Sequence, residues 1–272
     1  MTQDAPFDDA AGAPPEDAAL RREGSRLAQE LVARVASDLR ARAGTWRAAS
    51  PQAVRGFCDA VLSDDPHAAE TLLSALQAKG VAADALYSGY LADAARELGR
   101  RWDDDEIGFG EMSLGMSRLQ RMLRELGPAF VGPPPLPGPG PAPARGLVAA
   151  APGERHVFGA IMFSDHLRRL GWQMRTEISG DDAAIAAAAL ADPLDIVALS
   201  IACRANHGRL TSLISTLRAG PNAPRLIVVG GAFAKQAPAL TADCGADLIA
   251  SNAHQVETAL KAVMAKEPRQ TA

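Results

Sequence analysis

Cysteine is scarce in this chain. Its three residues, Cys58, Cys203 and Cys244, are odd in number and have no CxxC or zinc-like spacing. That argues against a disulfide framework and for a reducing compartment, and all three are expected to be packing residues. An excess of positive charge is also missing. With 28 Lys and Arg against 32 Asp and Glu, the formal net charge is −4, which argues against binding nucleic acid through the overall field. No run approaches the ~20 apolar residues needed to span a bilayer. The N-terminal stretch MTQDAPFDDAAGAPPEDAA is acidic, where a secretory signal is basic and then apolar. A cytoplasmic protein without membrane contact is expected.

What is present suits two modest domains: 272 residues, 47% of them hydrophobic. Residues 1–17 combine acids, Ala, Gly and Pro, with too little apolar surface to offset the entropy of ordering them, and read as a disordered tail. Over 18–49, Leu20, Leu27, Leu31, Val32, Val35 and Leu39 keep helical spacing. The Arg-rich opposite side of this N-terminal helix reads as a solvated face, with a surface for an anionic partner or DNA as the alternative. Residues 50–130 remain helical in pattern, with breaks that predict helices at about 50–62, 66–79, 82–101 and 110–126, a small antiparallel bundle. Seven prolines between Gly132 and Pro143 make 131–145 a semi-rigid linker. Across 146–265 short apolar runs alternate with helical patterns, the strands falling near 147–150, 173–178, 195–203, 225–229 and 247–250. The fold class is therefore α/β, an N-terminal four-helix bundle followed by a doubly wound five-stranded parallel sheet, with 266–272 as a tail.

The first strand leads into Pro152, Gly153, Glu154, His156 and Gly159, and then into a helix that stops at Gly171. In an open parallel sheet, ligands sit outside the carboxyl ends of the strands, so His156 lies where such a fold presents chemistry. Glu154 can accept a hydrogen bond from one imidazole nitrogen and leave the other as a lone-pair donor to a metal. Gly159 lets a large planar ligand lie against the backbone. At this composition the pattern acid-x-His-x-x-Gly is expected by chance about 0.05 times. Two further strand ends carry Ser200-x-Ala202 and Gly230-Gly231. Trp102 stands at a helix end beside Asp103, Asp104, Asp105 and Glu106, poorly placed for a deep core.

Glu154-x-His156-x-x-Gly159 resembles the Asp-x-His-x-x-Gly motif of cobalamin-binding Rossmann-like domains, with Glu for the usual Asp. The resemblance implies cobalamin as cofactor, with His156 the lower axial ligand of cobalt and Glu154 its hydrogen-bonded partner. It also implies that Ser200 meets the buried base of the nucleotide tail and that Gly230 and Gly231 let that tail pass close to the backbone. Ala202 stands where the family has Leu. Leu98-Gly99-x-x-Trp102 resembles the end of the third helix of the bundle that caps the corrin in many members of this family, so Trp102 becomes a cofactor contact. Light-sensing members continue with Glu and His nine residues on. Here those positions are Met112 and Ser113, so no upper protein ligand carries over.

Trp102, Asp103, Asp105 and Phe109, followed by Leu114, Arg118, Leu119 and Gln120, resemble the PpaA/AerR family of cobalamin-binding photosynthesis regulators. That resemblance implies a light- or redox-responsive regulator that antagonises a transcription factor of the PpsR/CrtJ repressor type. The roughly 49 residues ahead of the bundle are too few for a helix-turn-helix module, so action through the partner, without direct DNA reading, is expected. A corrinoid methyl carrier serving a separate methyltransferase, or a domain that has lost its cofactor, would use the same fold. No barrel-length segment is left for cobalamin enzymology, so an enzyme is not expected.

Overall fold

The computed structural model describes residues 50–133 and 142–266. The expected tail at 1–17, the N-terminal helix at 18–49, most of the linker and residues 267–272 lie outside the described residues. Lys266, read as tail, closes the last helix. The chain divides into two compact units, Met1–Leu123 and Arg124–Ala272.

In the first unit, helix α1 (Pro51–Leu62) starts on the hydroxyl of Ser50, which accepts from the Ala53 amide at 3.2 Å, with Pro51 in the first turn. Helix α2 (Ala68–Ala78) follows. Where the sequence predicts one continuous helix, residues Ala85–Leu91 form a π-helical segment that runs into α3 (Ala92–Asp103). The wider turn buries Leu86, Tyr87, Tyr90 and Leu91 together. The fourth helix, α4 (Phe109–Val131), crosses α3 closely: a Cβ at Gly115 would lie 2.9 Å from Leu98 Cδ1. In the last turns of α3, Arg100 donates to Glu97 of the same helix and to Asp104 and Glu106 just beyond it, which neutralises part of the acidic run after Trp102.

Helix α4 continues beyond Gly127-Pro128, where the sequence predicts an end. Proline removes one intrahelical donor, but tertiary contacts outweigh that loss. Phe130 is buried, the Arg169 guanidinium lies 4.8 Å from its ring centroid, and the same side chain donates to the Phe130 carbonyl at 2.8 Å.

The second unit is built on strands β1 (Arg145–Ala150), β2 (Gln173–Glu177), β3 (Ile196–Ser200), β4 (Leu226–Gly230) and β5 (Leu248–Ile249). All are parallel, in the order β2-β1-β3-β4-β5. Helices α5 (Phe158–Arg169) and α10 (Ala253–Lys266) cover one face, and α6 (Asp182–Leu190) and α7 (His207–Ala219) cover the other. Alternate strand residues divide between the two cores: Leu147, Val197 and Ile227 pack with Ile185 and Leu213, while Val148, Ile196 and Val228 pack with Leu167 and Val256. After β4, Pro238 separates two short helices, α8 (Ala232–Gln236) and α9 (Pro238–Ala242). The chain returns from β2 past β1 to form β3, so the loops after β1 and β3 leave in opposite directions. Their ends form the topological switch point, the ligand position of such sheets.

Asp195, 1% exposed at the start of β3, accepts from the Arg145 amide at 2.8 Å and faces the Arg225 guanidinium at 3.6 Å. Removing one partner of a buried charged network leaves the others uncompensated. Asp195→Ala is therefore expected to destabilise the sheet unit by about 3–5 kcal/mol. The check is urea unfolding followed through Trp172, with Trp46 and Trp102 replaced by Phe.

Candidate functional site

The loop after β1 turns sharply at Gly153, whose φ is +76° and whose amide donates to the Gly180 carbonyl at 2.8 Å. Gly180 has φ +67°, and a Cβ there would lie 2.9 Å from the Glu154 carbonyl oxygen, so the loop after β2 crosses against Glu154 only as glycine. The Glu154 amide donates to the Ala151 carbonyl at 2.8 Å, which aims its side chain inward.

Glu154 is 2% exposed and both of its carboxylate oxygens are fully engaged. Oε1 accepts from the Arg155 amide at 2.9 Å, the His156 amide at 3.0 Å and His156 Nδ1 at 2.5 Å. Oε2 accepts from the Ala202 amide at 2.8 Å, the Cys203 amide at 3.0 Å and Asn206 Nδ2 at 3.3 Å. Burial pushes the carboxyl pKa up, but the amides of Ala202, His156 and Cys203 and the His156 ring outweigh it and bring it down to about 2. Glu154 is thus an anion at neutral pH and accepts the Nδ1 proton of His156. That fixes the tautomer with the lone pair on Nε2. The His156 side chain is 66% exposed, and Nε2 makes no hydrogen bond among the described residues. A single imidazole nitrogen, oriented by a buried carboxylate, is offered outward.

Cys203, read above as a packing residue, belongs to this site: its amide binds Glu154 and its Sγ lies 3.7 Å from His156 Nδ1. Burial and then the Glu154 charge push its thiol pKa up. Cys58 and Cys244 are buried. Donor atoms of Glu154, His156 and Cys203 lie within 4.8 Å of one another, but the acid's oxygens are already satisfied by N–H donors, and burial and the Glu154 charge disfavour the Cys203 thiolate. That leaves His156 Nε2 as the readiest metal donor of the three.

Of the other expected contacts, Gly159 is the second residue of α5, and a Cβ there would meet nothing within 4 Å. The Ser200 hydroxyl has no hydrogen-bond partner among the described residues, and Ala202 contributes its amide. Gly231 has φ +105°, and a Cβ there would lie 2.3 Å from the Ile201 carbonyl oxygen, so glycine is required by the protein's own turn. At Gly230 the nearest atom is the Ala250 carbonyl oxygen, at 3.1 Å. Trp102 belongs to the first unit. It is 41% exposed and packs edge-on against Phe109, with ring centroids 6.3 Å apart. Sequence reading missed Cys203, Asn206 and Gly180, which lie far from Glu154 along the chain. Only knowledge that β1 and β3 pair would have pointed to the first two.

Because the folded-state pKa of Glu154 is depressed from its ordinary 4.5 to about 2, its contribution to stability is fully present above pH 4.5 and is lost as pH falls toward 2. The stability advantage of wild type over Glu154→Gln is expected to shrink by on the order of 3 kcal/mol across that window. Urea unfolding of both proteins at several pH values provides the measurement.

No family model matches the chain. It is 26% identical over 183 residues to an uncharacterized 20.5 kDa protein in the bchF–crtJ intergenic region of Rhodobacter capsulatus, covering 67% of this chain and 94% of that one. With the HTH-type transcriptional repressor CarA of Myxococcus xanthus it shares 32% identity over 156 residues, 56% of this chain and 49% of that protein, so it spans about half of CarA. Among solved structures, the monomethylamine corrinoid protein of Methanosarcina barkeri superposes with a TM-score of 0.58 at 17% identity, over 76% of this chain and 96% of that one. Among the described residues no helix is long and apolar enough to cross a membrane. Helical unit and five-stranded parallel sheet together have the fold of a corrinoid protein, in a chain distantly related to a transcriptional repressor.

Proposed function

We propose that this chain binds cobalamin through His156 and acts as a light- or redox-responsive regulator of transcription through a partner repressor. The observation that carries the reading is the Glu154–His156 pair: a buried anion holds Nδ1 at 2.5 Å and leaves Nε2 free and exposed at the sheet's switch point. The residues fit the group at two other points. The space at Gly159 is not filled by the protein, and the Ser200 hydroxyl is uncommitted. Bound cobalamin would supply a cobalt whose upper ligand can be exchanged by light or by redox chemistry. His156 would hold the lower side, and Glu154 would raise the donor strength of Nε2 by accepting the Nδ1 proton.

The regulatory half of the reading rests on the likeness to CarA, a repressor, and to the protein encoded between bchF and crtJ, together with the resemblance to antagonists of PpsR/CrtJ-type repressors. The net charge of −4 suits action on a protein better than action on DNA. We read the chain as a regulator without a reaction of its own.

Purified protein is mixed in the dark with adenosyl-, methyl- or hydroxocobalamin, desalted, scanned by absorption and illuminated, beside His156→Ala. Retained cobalamin whose base-off, His-on spectrum needs His156 and changes on illumination or reduction is expected. Retention without either response points to the corrinoid methyl carrier, and no retention of any form overturns cobalamin binding. A pull-down with a PpsR/CrtJ-type repressor is expected to depend on the loaded state, and its failure in every state would sink the partner.

A further inference from the structure

Where α3 ends and α4 begins, the first unit leaves aromatic surface uncovered among its described residues. Phe109 is 75% exposed, Trp102 meets it edge-on and is itself exposed, and Leu114 further along α4 is exposed as well. Helical spacing puts Gly110, Ser113 and Ser117, all exposed, on the α4 surface between Phe109 and Leu114, so small residues keep that face open. Its rim is acidic. Arg100 answers Asp104 and Glu106, and Glu111 accepts from the Gly108 amide at 2.8 Å. Asp103 and Asp105 have no cationic partner among the described residues.

Aromatic surface is costly to leave in water, and an exposed apolar patch with a polar rim marks a surface that something covers. Residues 18–49 carry the complementary pattern. Leu20, Leu27, Leu31, Val32, Val35 and Leu39 recur at helical spacing, and the segment has seven arginines against three acids. The leucine stripe suits Trp102, Phe109 and Leu114, and the arginines suit Asp103 and Asp105. Position in the chain brings the two within reach. The segment runs directly into Pro51, which lines the same groove of the first unit as Arg100, two residues before Trp102. A twenty-residue helix is about 30 Å long, and a tether that short makes docking intramolecular, which favours this segment over a second copy of the chain.

We propose that residues 18–49 dock on the face formed by Trp102, Phe109 and Leu114 in the cofactor-free chain and are displaced when cobalamin takes that face. The displacement rests on the cobalamin reading given above, in which Trp102 is a cofactor contact; the docking does not. By linkage, docking weakens cobalamin binding by the same factor as cobalamin weakens docking. Loading the chain therefore releases an arginine-rich amphipathic segment, which gives the loaded state a signature that a partner can read.

The test uses the full chain with Trp46→Phe and Trp172→Phe, which leaves Trp102 as its one tryptophan. Acrylamide quenching of Trp102, without cobalamin, is compared between this parent, Leu27→Asp/Leu31→Asp in the stripe, and Asp103→Asn/Asp105→Asn on the rim. Asparagine tolerates the φ of +56° at position 105, and circular dichroism confirms that each variant is folded. Trp102 is expected to be shielded in the parent and quenched more strongly in both variants. Equal quenching in all three overturns the docking, and shielding that grows with protein concentration assigns the face to a second copy and overturns it too. Equilibrium dialysis against hydroxocobalamin in the dark reads the competition. Both variants should bind about tenfold more tightly than the parent, the factor for a face about nine-tenths covered. Unchanged affinity beside a shielded Trp102 overturns the displacement. Failure of all three proteins to bind cobalamin would overturn the cobalamin reading instead, while the quenching still decides the docking.

Discussion

A buried carboxylate is the constraint on which the second unit's functional end depends. Glu154 is nearly sealed from solvent and accepts six hydrogen bonds, three from its own turn and three from the loop after β3. An anion in such a place is tolerated only when donors replace the water it has lost. The loops after β1 and β3 are thereby made into one structure. Neither could relax without exposing the other's donors, and the histidine ring takes its orientation from the same oxygen that its own amide binds. The contrast in exposure gives the arrangement its chemical sense: the charge is hidden, and the base it orients is in the open.

Glycines set the path that brings this anion into place. Gly153 and Gly180 both take positive φ and approach each other through a backbone hydrogen bond, so the loop after β2 supports Glu154 from outside the β1–β3 pair. Gly231 does a similar service one strand further on, where its backbone passes Ile201 too closely for any side chain. These glycines are explained by backbone against backbone. Gly159, with open space beside it, is not demanded by the protein's own packing.

Much of the fold is legible in the sequence because strands buried on both faces and amphipathic helices write their periods directly: β3 and β4 stand out as unbroken apolar runs, and the helix after His156 stops at a glycine. The π-helical segment at Ala85–Leu91 is not legible, since its residues satisfy an ordinary helical pattern equally well. Nor is the passage of α4 through Pro128, which depends on Arg169 more than thirty residues away packing on Phe130. The site divides in the same way. Glu154 and His156 are two residues apart and their hydrogen bond can be read from spacing. Cys203 and Asn206 reach Glu154 only because β1 and β3 are neighbours in the sheet, and that pairing is a property of strand order, which local pattern does not encode. Gly230-Gly231 was legible as a motif, but the close approach that requires glycine at 231 is to the chain itself.

The identity of the acid at 154 bears on how the site could communicate. Oε1 serves the turn that carries His156, and Oε2 serves the loop that carries Ala202, Cys203 and Asn206. An aspartate, one methylene shorter, would have to give up one of these sets or pull the backbone with it. The longer side chain lets one carboxylate bridge both loops while His156 stays exposed. Any ligand that draws on His156 Nε2 then draws on Oε1, and through the rigid carboxylate on the amides that Oε2 holds. From there the connection is covalent to Ile201, whose amide binds the Gly230 carbonyl at 2.9 Å and whose own carbonyl receives the Phe233 amide at 3.2 Å. His156 is thus joined through hydrogen bonds and a short stretch of backbone to the ends of β3 and β4.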